Sequence, residues 1–235
     1  ILAEENAQMT TSPPAPPAVS ARREVTRQKL FAAARELFAK EGLGKTGVKT
    51  LCEAAGFSRG AFYSNFPDFS EFLHQYVHGE FTQVSAQLTR AQSLINQNLA
   101  TGTSSVEGSF LTTHWPLISE TISSTMLFER DFVLVLTELR VYAARNREFL
   151  PFLRKEILVL EEQLAEIITG CLHTQGLRLL VDPLDCAFVV VALWQADLVN
   201  RSGGVASGQV VYPSSHFLEV ALPRCLAGMV ASEES

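Results

Sequence analysis

Residues Val48 to Phe66 read VKTLCEAAGFSRGAFYSNF, and this stretch decides the fold. Val48, Leu51, Cys52 and Ala55 recur at i, i+3, i+4 and i+7, one apolar helical face that leaves Lys49, Thr50 and Glu53 outside it. Gly56 stands just past the last periodic residue, where a left-handed backbone lets a helix end and the chain turn sharply. Ser58 is placed to cap a second helix, and Phe57 and Phe62 flank it at the spacing of a hydrophobic staple. The stretch predicts two short helices joined by a tight turn, the second over about Arg59 to Phe66.

In that second helix Phe62 and Phe66 turn inward, leaving Arg59, Gly60, Tyr63, Ser64 and Asn65 on or near the open side. Gly60 and Ala61 leave room for a bulky partner to approach. Arg and Asn reach base edges, and Tyr and Ser hydroxyls suit phosphate oxygens, so the pattern fits a DNA-reading helix-turn-helix. The same spacing also fits an ordinary helical hairpin whose polar face is merely solvated.

From Thr26 to about Val77 the chain resembles the N-terminal domain of TetR-family transcriptional regulators. The resemblance rests on Ala33-Ala34, Leu37-Phe38, Gly42, Val48 and the run Ala54-Ala55-Gly56-Phe57-Ser58-Arg59-Gly60-Ala61-Phe62-Tyr63-Ser64-Asn65-Phe66. It implies a homodimeric, repressor-like protein on a double-stranded DNA operator. Lys49, Arg59, Gly60, Tyr63, Ser64 and Asn65 would lie at the DNA and Thr46 near a phosphate. One departure is Phe69, which stands where the family usually carries a lysine that approaches the DNA backbone. Beyond Val77 only the all-helical character matches.

The implied fold is all-α. A Pro-rich tail occupies residues 1–19, a three-helix DNA-binding domain residues 20–78, and a larger helical domain for effector binding and dimerisation residues 79–235. A chain of 235 residues is long enough for such a head and body. The formal net charge of −6 is unevenly spread. Nine Lys and Arg against six Asp and Glu between Ser20 and His78 leave that segment at about +3 and the remainder at about −9. Only the head suits DNA, and the acidic body orients it. No apolar run reaches the roughly 18 residues of a membrane span, Cys186 to Trp194 being too short, and no signal-peptide pattern opens the chain. A cytoplasmic protein without membrane contact is expected. Cys52, Cys171, Cys186 and Cys225 are widely separated in apolar helical patterns and read as core or interface residues, not as a disulfide or zinc framework.

Pro13, Pro14, Pro16 and Pro17 mark the tail as disordered. Arg22, Arg23 and Arg27 open the first helix, where they add DNA-backbone contacts or are simply solvated. That helix is predicted over about Ala21 to Lys40, burying Leu30, Ala34, Leu37 and Phe38. Asp68 and Glu71 form a capping-box pattern ahead of a fourth helix with Phe72, Leu73, Tyr76, Val77, Phe81, Val84 and Leu88, too many apolar residues for the head alone. Its near end is expected on the head and its far end on the body. His74 and His78 have a metal-compatible i, i+4 spacing but no recognisable third ligand, so no metal is assigned. Asn96 to Gly108 reads as a loop, followed by a short helical segment interrupted by Pro116. Helices are predicted over Leu127 to Arg145 and Pro151 to His173, and a nearly all-apolar one follows the Asp182-Pro183-Leu184-Asp185 start through Asn200. The last segment, Ser214 to Val230, is expected to be helical and kinked or broken by Pro223. The last two helices are assigned to the homodimer interface.

No catalytic constellation emerges, so neither an enzyme nor a cofactor is expected. Phe110, His114, Trp115, Phe128, Phe132, Tyr142 and Trp194 are candidates to line a body cavity for a small apolar or amphipathic effector, each also fitting ordinary core packing. The functional expectation is a ligand-responsive repressor, whose dimer sets two reading helices about 34 to 36 Å apart on a palindromic operator. Ligand would change that separation by tilting the fourth helix. The rival is a helical protein- or lipid-interaction module without DNA binding.

Overall fold

The computed structural model describes residues 18–101, 130–202 and 222–232. Helix α1 (Ala18–Glu41) leads through a 3₁₀ turn (Leu43–Lys45) to α2 (Val48–Ala55) and α3 (Arg59–Tyr63). The long α4 (Phe69–Thr101) follows, then α5 (Arg130–Arg145) and α6 (Leu150–His173). Strand β1 (Leu177–Leu179), α7 (Pro183–Ser202), α8 (Leu222–Ala227) and β2 (Val230–Ser232) complete the described elements.

Each start and stop in the head has a local cause. Gly42 ends α1 with its N–H on the Phe38 carbonyl at 3.1 Å and φ of 85°, a backbone open chiefly to glycine. Gly56 ends α2 in the left-handed region at φ 72° and ψ 31°, as its position predicts. Asp68 Oδ1 accepts the Glu71 N–H at 2.8 Å and caps α4, while the Glu71 carboxylate turns to Gln75.

Leu30, Ala34 and Phe38 of α1, Leu51 and Cys52 of α2, and Phe62 of α3 are buried. They pack with Phe66 and with Phe72, Leu73, Tyr76 and Val77 of α4, and this cluster continues without a break into α5 and α6 through Phe81, Phe132, Leu136 and Leu153. The near end of α4 thus packs on the head and its far end on the body. Phe31, Phe66, Phe72 and Tyr76 meet at ring distances of 5.0 to 6.3 Å. Farther along, α4 runs beside α6, where Gln163 Nε2 donates to the Ser85 carbonyl at 3.0 Å and to Thr89 Oγ1 at 2.8 Å.

Several sequence expectations need correction. Helix α1 begins at Ala18, inside the stretch read as tail, and residues 1–17 lie outside the described residues. Helix α3 stops at Tyr63, short of Phe66, although the Phe66 N–H still reaches the Phe62 carbonyl at 2.9 Å. Helix α4 continues through Asn96 to Thr101, where a loop was expected. Ala91 and Ile95 explain this: both are buried and extend the apolar stripe of α4 by another turn. Pro116 and its segment lie outside the described residues. Of the final segment, only six residues are helical among those described. Pro223 is the second residue of α8, where the missing N–H of a first-turn proline leaves no bond unmade, and residues 214–221 lie outside the described residues. Val230 belongs to β2, which pairs antiparallel with β1 in the register Leu177 to Ser232 and Leu179 to Val230. These two strands are the one departure from an all-helical body among the described residues.

No helix among the described residues is long and apolar enough to cross a membrane, and no three metal-ligating side chains converge there. His74 and His78 turn to different partners. The His74 ring packs 4.5 Å from Phe152 with Nδ1 2.7 Å from the Ser70 carbonyl, whereas His78 Nδ1 lies 3.1 Å from Glu156.

Cys52, Cys171 and Cys186 are buried free thiols and Cys225 is half-buried. Burial pushes Cys171 up to about 11 and raises Cys52 and Cys186 as well, with Arg59 opposing the rise at Cys52. At neutral pH the folded protein should therefore react rapidly with a chromogenic disulfide reagent at no more than the one thiol of Cys225. The other three should be released only on denaturation, which timed absorbance readings with and without guanidinium will show.

Candidate nucleic-acid interface

Helices α2 and α3 present the candidate reading surface. Ser58 Oγ accepts the Ala61 N–H at 3.2 Å, the cap foreseen in the sequence, so α3 begins with its first turn pointing outward. Phe62 and Phe66 are fully buried, which fixes the opposite side of the helix. Phe57 is half-buried against the same cluster. What remains outside is Arg59, Gly60, Tyr63 and Ser64, with Lys49 on the neighbouring helix. Tyr63 is 54% exposed despite an edge contact with Phe62 at 5.3 Å, so its hydroxyl is held on a rigid ring above the surface. A Cβ added at Gly60 would meet nothing closer than Ser58 Oγ at 3.7 Å, so the front of α3 is open.

Not every predicted residue sits on this face with free polar atoms. Thr46 is buried, and its hydroxyl donates to the Gly42 carbonyl at 3.1 Å, closing the turn ahead of α2. The Asn65 amide donates to the Ala61 carbonyl at 2.8 Å, so in this conformation it closes the end of α3. Ser64 is exposed, and its hydroxyl donates to the Ala61 carbonyl at 2.8 Å and accepts from the Asn65 amide at a long 3.4 Å. Lys49 pairs loosely with Glu53 at 3.9 Å, a fully solvated contact that a phosphate could replace at little cost. Phe69 is half-buried against Phe72 at 5.7 Å, facing the core and not a DNA backbone.

Two residues taken in the sequence for basic surface are structural. Arg23 donates to the Ser64 carbonyl, tying the start of α1 to the end of α3. Arg27 lies over the Phe66 ring at 4.8 Å and donates to Gln75. Arg22 remains exposed. The i, i+4 step from Arg23 to Arg27 was the available signal, since it sets both on the side of α1 that meets α3 and α4.

Of the candidate effector residues, Phe110, His114, Trp115 and Phe128 lie outside the described residues. Phe132 is buried and meets Phe81 edge-on at 6.1 Å, and Trp194 is half-buried against the same core. Tyr142 sits ten residues along α5 from Phe132, about 15 Å at the helical rise, and packs on Phe149 at 5.1 Å. Phe132 and Tyr142 therefore belong to separate ring clusters.

Residues 30–75 match the family model of bacterial regulatory proteins, tetR family. Those residues, which run from α1 through the hairpin into α4, are therefore a tetR-type DNA-binding segment. TetR-family proteins are DNA-binding transcription regulators, typically dimeric and with small-molecule effectors. Solved structures share the fold along nearly their whole length. A TetR-family regulator of Mesorhizobium loti superposes with a TM-score of 0.63 at 15% identity, covering 88% of this chain and 96% of its own. The fatty acid degradation regulator FadR of Bacillus halodurans gives 0.61 at 13% identity, covering 86% and 95%. GusR of Salmonella enterica gives 0.57 at 18% identity, covering 87% and 94%. No curated protein matches the chain by sequence.

The cap at Ser58 should matter for stability independently of DNA. Ser58→Ala is expected to lower the free energy of unfolding by about 1 kcal/mol. Gly56→Ala, strained at positive φ but otherwise in open space, should lower it by about 1–2 kcal/mol. Urea titrations followed by circular dichroism will measure both.

Proposed function

We propose that this protein is a TetR-family regulator, a ligand-responsive repressor that binds a palindromic operator as a homodimer. In this reading residues 20–78 read DNA and residues 79–235 hold effector and partner. The observation that carries it is the exposed group of Lys49, Arg59, Gly60, Tyr63 and Ser64, mounted on a capped hairpin whose other side is locked by Phe62 and Phe66. Arg59 and the open front at Gly60 read base edges. Lys49, Tyr63 and Ser64 hold phosphates, as does the turn around Thr46 through its position at the start of α2. Asn65 serves the same surface by holding the end of α3. No catalytic role is assigned, and the site of action is the cytoplasm, where the DNA is.

Homodimerisation is assigned to the C-terminal helices. Helix α7 leaves Leu184, Phe188 and Leu193 exposed, and α6 leaves Leu158 and Val159 exposed. Helix α8 turns Leu222 and Leu226 inward, and the exposed Leu158 and Val159 of α6, which packs beside α7, support adding α6 to the proposed interface. The effector is a small apolar or amphipathic molecule held in the body on the Phe132 and Trp194 side. It acts by favouring a head spacing unsuited to successive major grooves by a few kcal/mol.

Mobility shifts with DNA from around the protein's own gene, in excess competitor and at two salt concentrations, test the reading. A saturable shift that weakens steeply with salt is expected, and a shift indifferent to salt would point to an apolar protein contact instead. Arg59→Ala should cost about 1–3 kcal/mol and relax discrimination between operators, while Tyr63→Phe should weaken all sequences alike. If both variants bind like the parent, the reading face is misassigned. Phe188→Glu, which places a charge at a 58% exposed phenylalanine, should shift the protein to monomer in sedimentation velocity and reduce operator affinity with it.

A further inference from the structure

A carboxylate of the body reaches into the head at one point. Glu138, on α5, accepts the backbone N–H of Leu43 at 3.0 Å across 95 residues of sequence. Leu43 opens the 3₁₀ turn between α1 and α2, and its own side chain is buried. The bare face of Gly42 gives the carboxylate room for this approach. A Cβ at Gly42 would stand 2.9 Å from Glu138 Oε2, too close unless the carboxylate moved away, and a tight 3.2 Å from Cδ. Gly42 thus meets two demands at once, a positive φ that ends α1 and a clear face for the carboxylate.

From this contact hydrogen bonds on closely spaced residues of the turn lead along the backbone to the reading hairpin. The Leu43 carbonyl accepts the Thr46 N–H at 3.2 Å, Thr46 Oγ1 returns to the Gly42 carbonyl at 3.1 Å, and the Gly47 carbonyl accepts the Leu51 N–H at 3.0 Å in the first turn of α2. Helix α5 packs on α1 and on the 3₁₀ turn, and at its other surfaces on α6 and α7. We infer that Glu138 is a positioning residue for the head: by holding the Leu43 N–H it fixes the α1–α2 turn, and through it the reading hairpin, at a set angle to the body. This tie is separate from α4, and it lets a movement of α5 be felt at α2 without bending α4. A charged acceptor suits the task because hydrogen bonds to ionised groups are shorter and about twice as strong as neutral ones, and their direction is set by the N–H they accept.

The consequence for DNA rests on the operator-binding reading above, so the test has one arm that needs no DNA. In the full-length protein, hydrogen exchange followed by mass spectrometry should show peptides spanning Gly42 to Val48 exchanging about tenfold faster in Glu138→Ala, with the urea midpoint of the whole protein little changed. Glu138→Gln, whose amide oxygen still accepts, should restore most of the protection. Operator affinity should fall about tenfold in Glu138→Ala and recover in Glu138→Gln. Unchanged exchange in Glu138→Ala, or equal acceleration in both variants, would overturn the tie whatever the DNA does. Faster exchange with parental operator affinity would overturn its role in positioning the reading hairpin. A parent that binds no operator would instead refute the DNA reading, with the exchange arm still deciding whether Glu138 holds the turn.

Discussion

The head depends on the burial of Phe62 and Phe66. Helix α3 has five residues, far too few to persist alone, because helix nucleation is costly and so short a helix repays it poorly. Its orientation comes from these two rings, which enter a cluster with Phe31 of α1 and Phe72 and Tyr76 of α4. Arg27 lies over Phe66 from the outside, and Arg23 holds the Ser64 carbonyl, so the end of α3 is fixed from α1 as well. The polar face of α3 is exposed because the apolar face has no other place to go.

The same cluster binds the head to the rest of the molecule. Phe72 and Tyr76 belong to a helix of 33 residues, about 50 Å long, which carries on past the head beside α6. Apolar contact between two helices is non-directional and tolerates sliding. The hydrogen bonds of Gln163 to Ser85 and Thr89, together with the pairing of His78 and Glu156, select one register. Tyr76 lies at the centre, its hydroxyl buried without a hydrogen-bond partner among the described residues. Burial, with Glu80 adding to it, holds the Tyr76 phenol far above its ordinary ionisation range, so the phenol stays neutral beside the Arg35–Glu80 pair. Head and body are thus one packed unit, joined by the apolar cluster along α4, by the packing of α5 on α1, and by the hydrogen bond from Glu138 to the α1–α2 turn.

Charge follows the same division. The head carries the basic excess and the remainder the acidic one, yet part of that basic excess is spent internally, on Phe66, Gln75 and Ser64. The surface left to meet a polyanion is narrower than the composition suggests. Lys45, Lys49, Arg59 and Arg22 are exposed around α2, α3 and the start of α1, and Arg23, exposed too, is tied to the Ser64 carbonyl. A small positive face on an acidic protein gives it a strongly directional field, so a polyanion would be steered to that face.

Local signals determined most of the head without help from the rest of the molecule. Gly56 after an apolar i, i+3, i+4, i+7 pattern, Ser58 before Arg59, and Asp68 three residues before Glu71 each act on the next few residues, so their effects are legible in order along the chain. The same holds for the Asp182 cap, whose Oδ1 accepts the Leu184 N–H at 2.8 Å. Helix α4 was read too short because polar residues such as Asn96 hide a stripe that Ala91 and Ile95 continue. The pairing of β1 with β2 was invisible, since three-residue strands carry no periodicity and the partners are more than fifty residues apart. Side-chain roles divided in the same way. The sequence determined that Arg59, Tyr63 and Ser64 are outside, because Phe62 and Phe66 had to be inside. Only the tertiary structure decided that Arg27 stacks on Phe66, that the Asn65 amide turns back to Ala61, and that Glu138 reaches the bare face of Gly42. Each of those depends on where a distant helix packs, and packing of distant elements is set by the shape of the whole core.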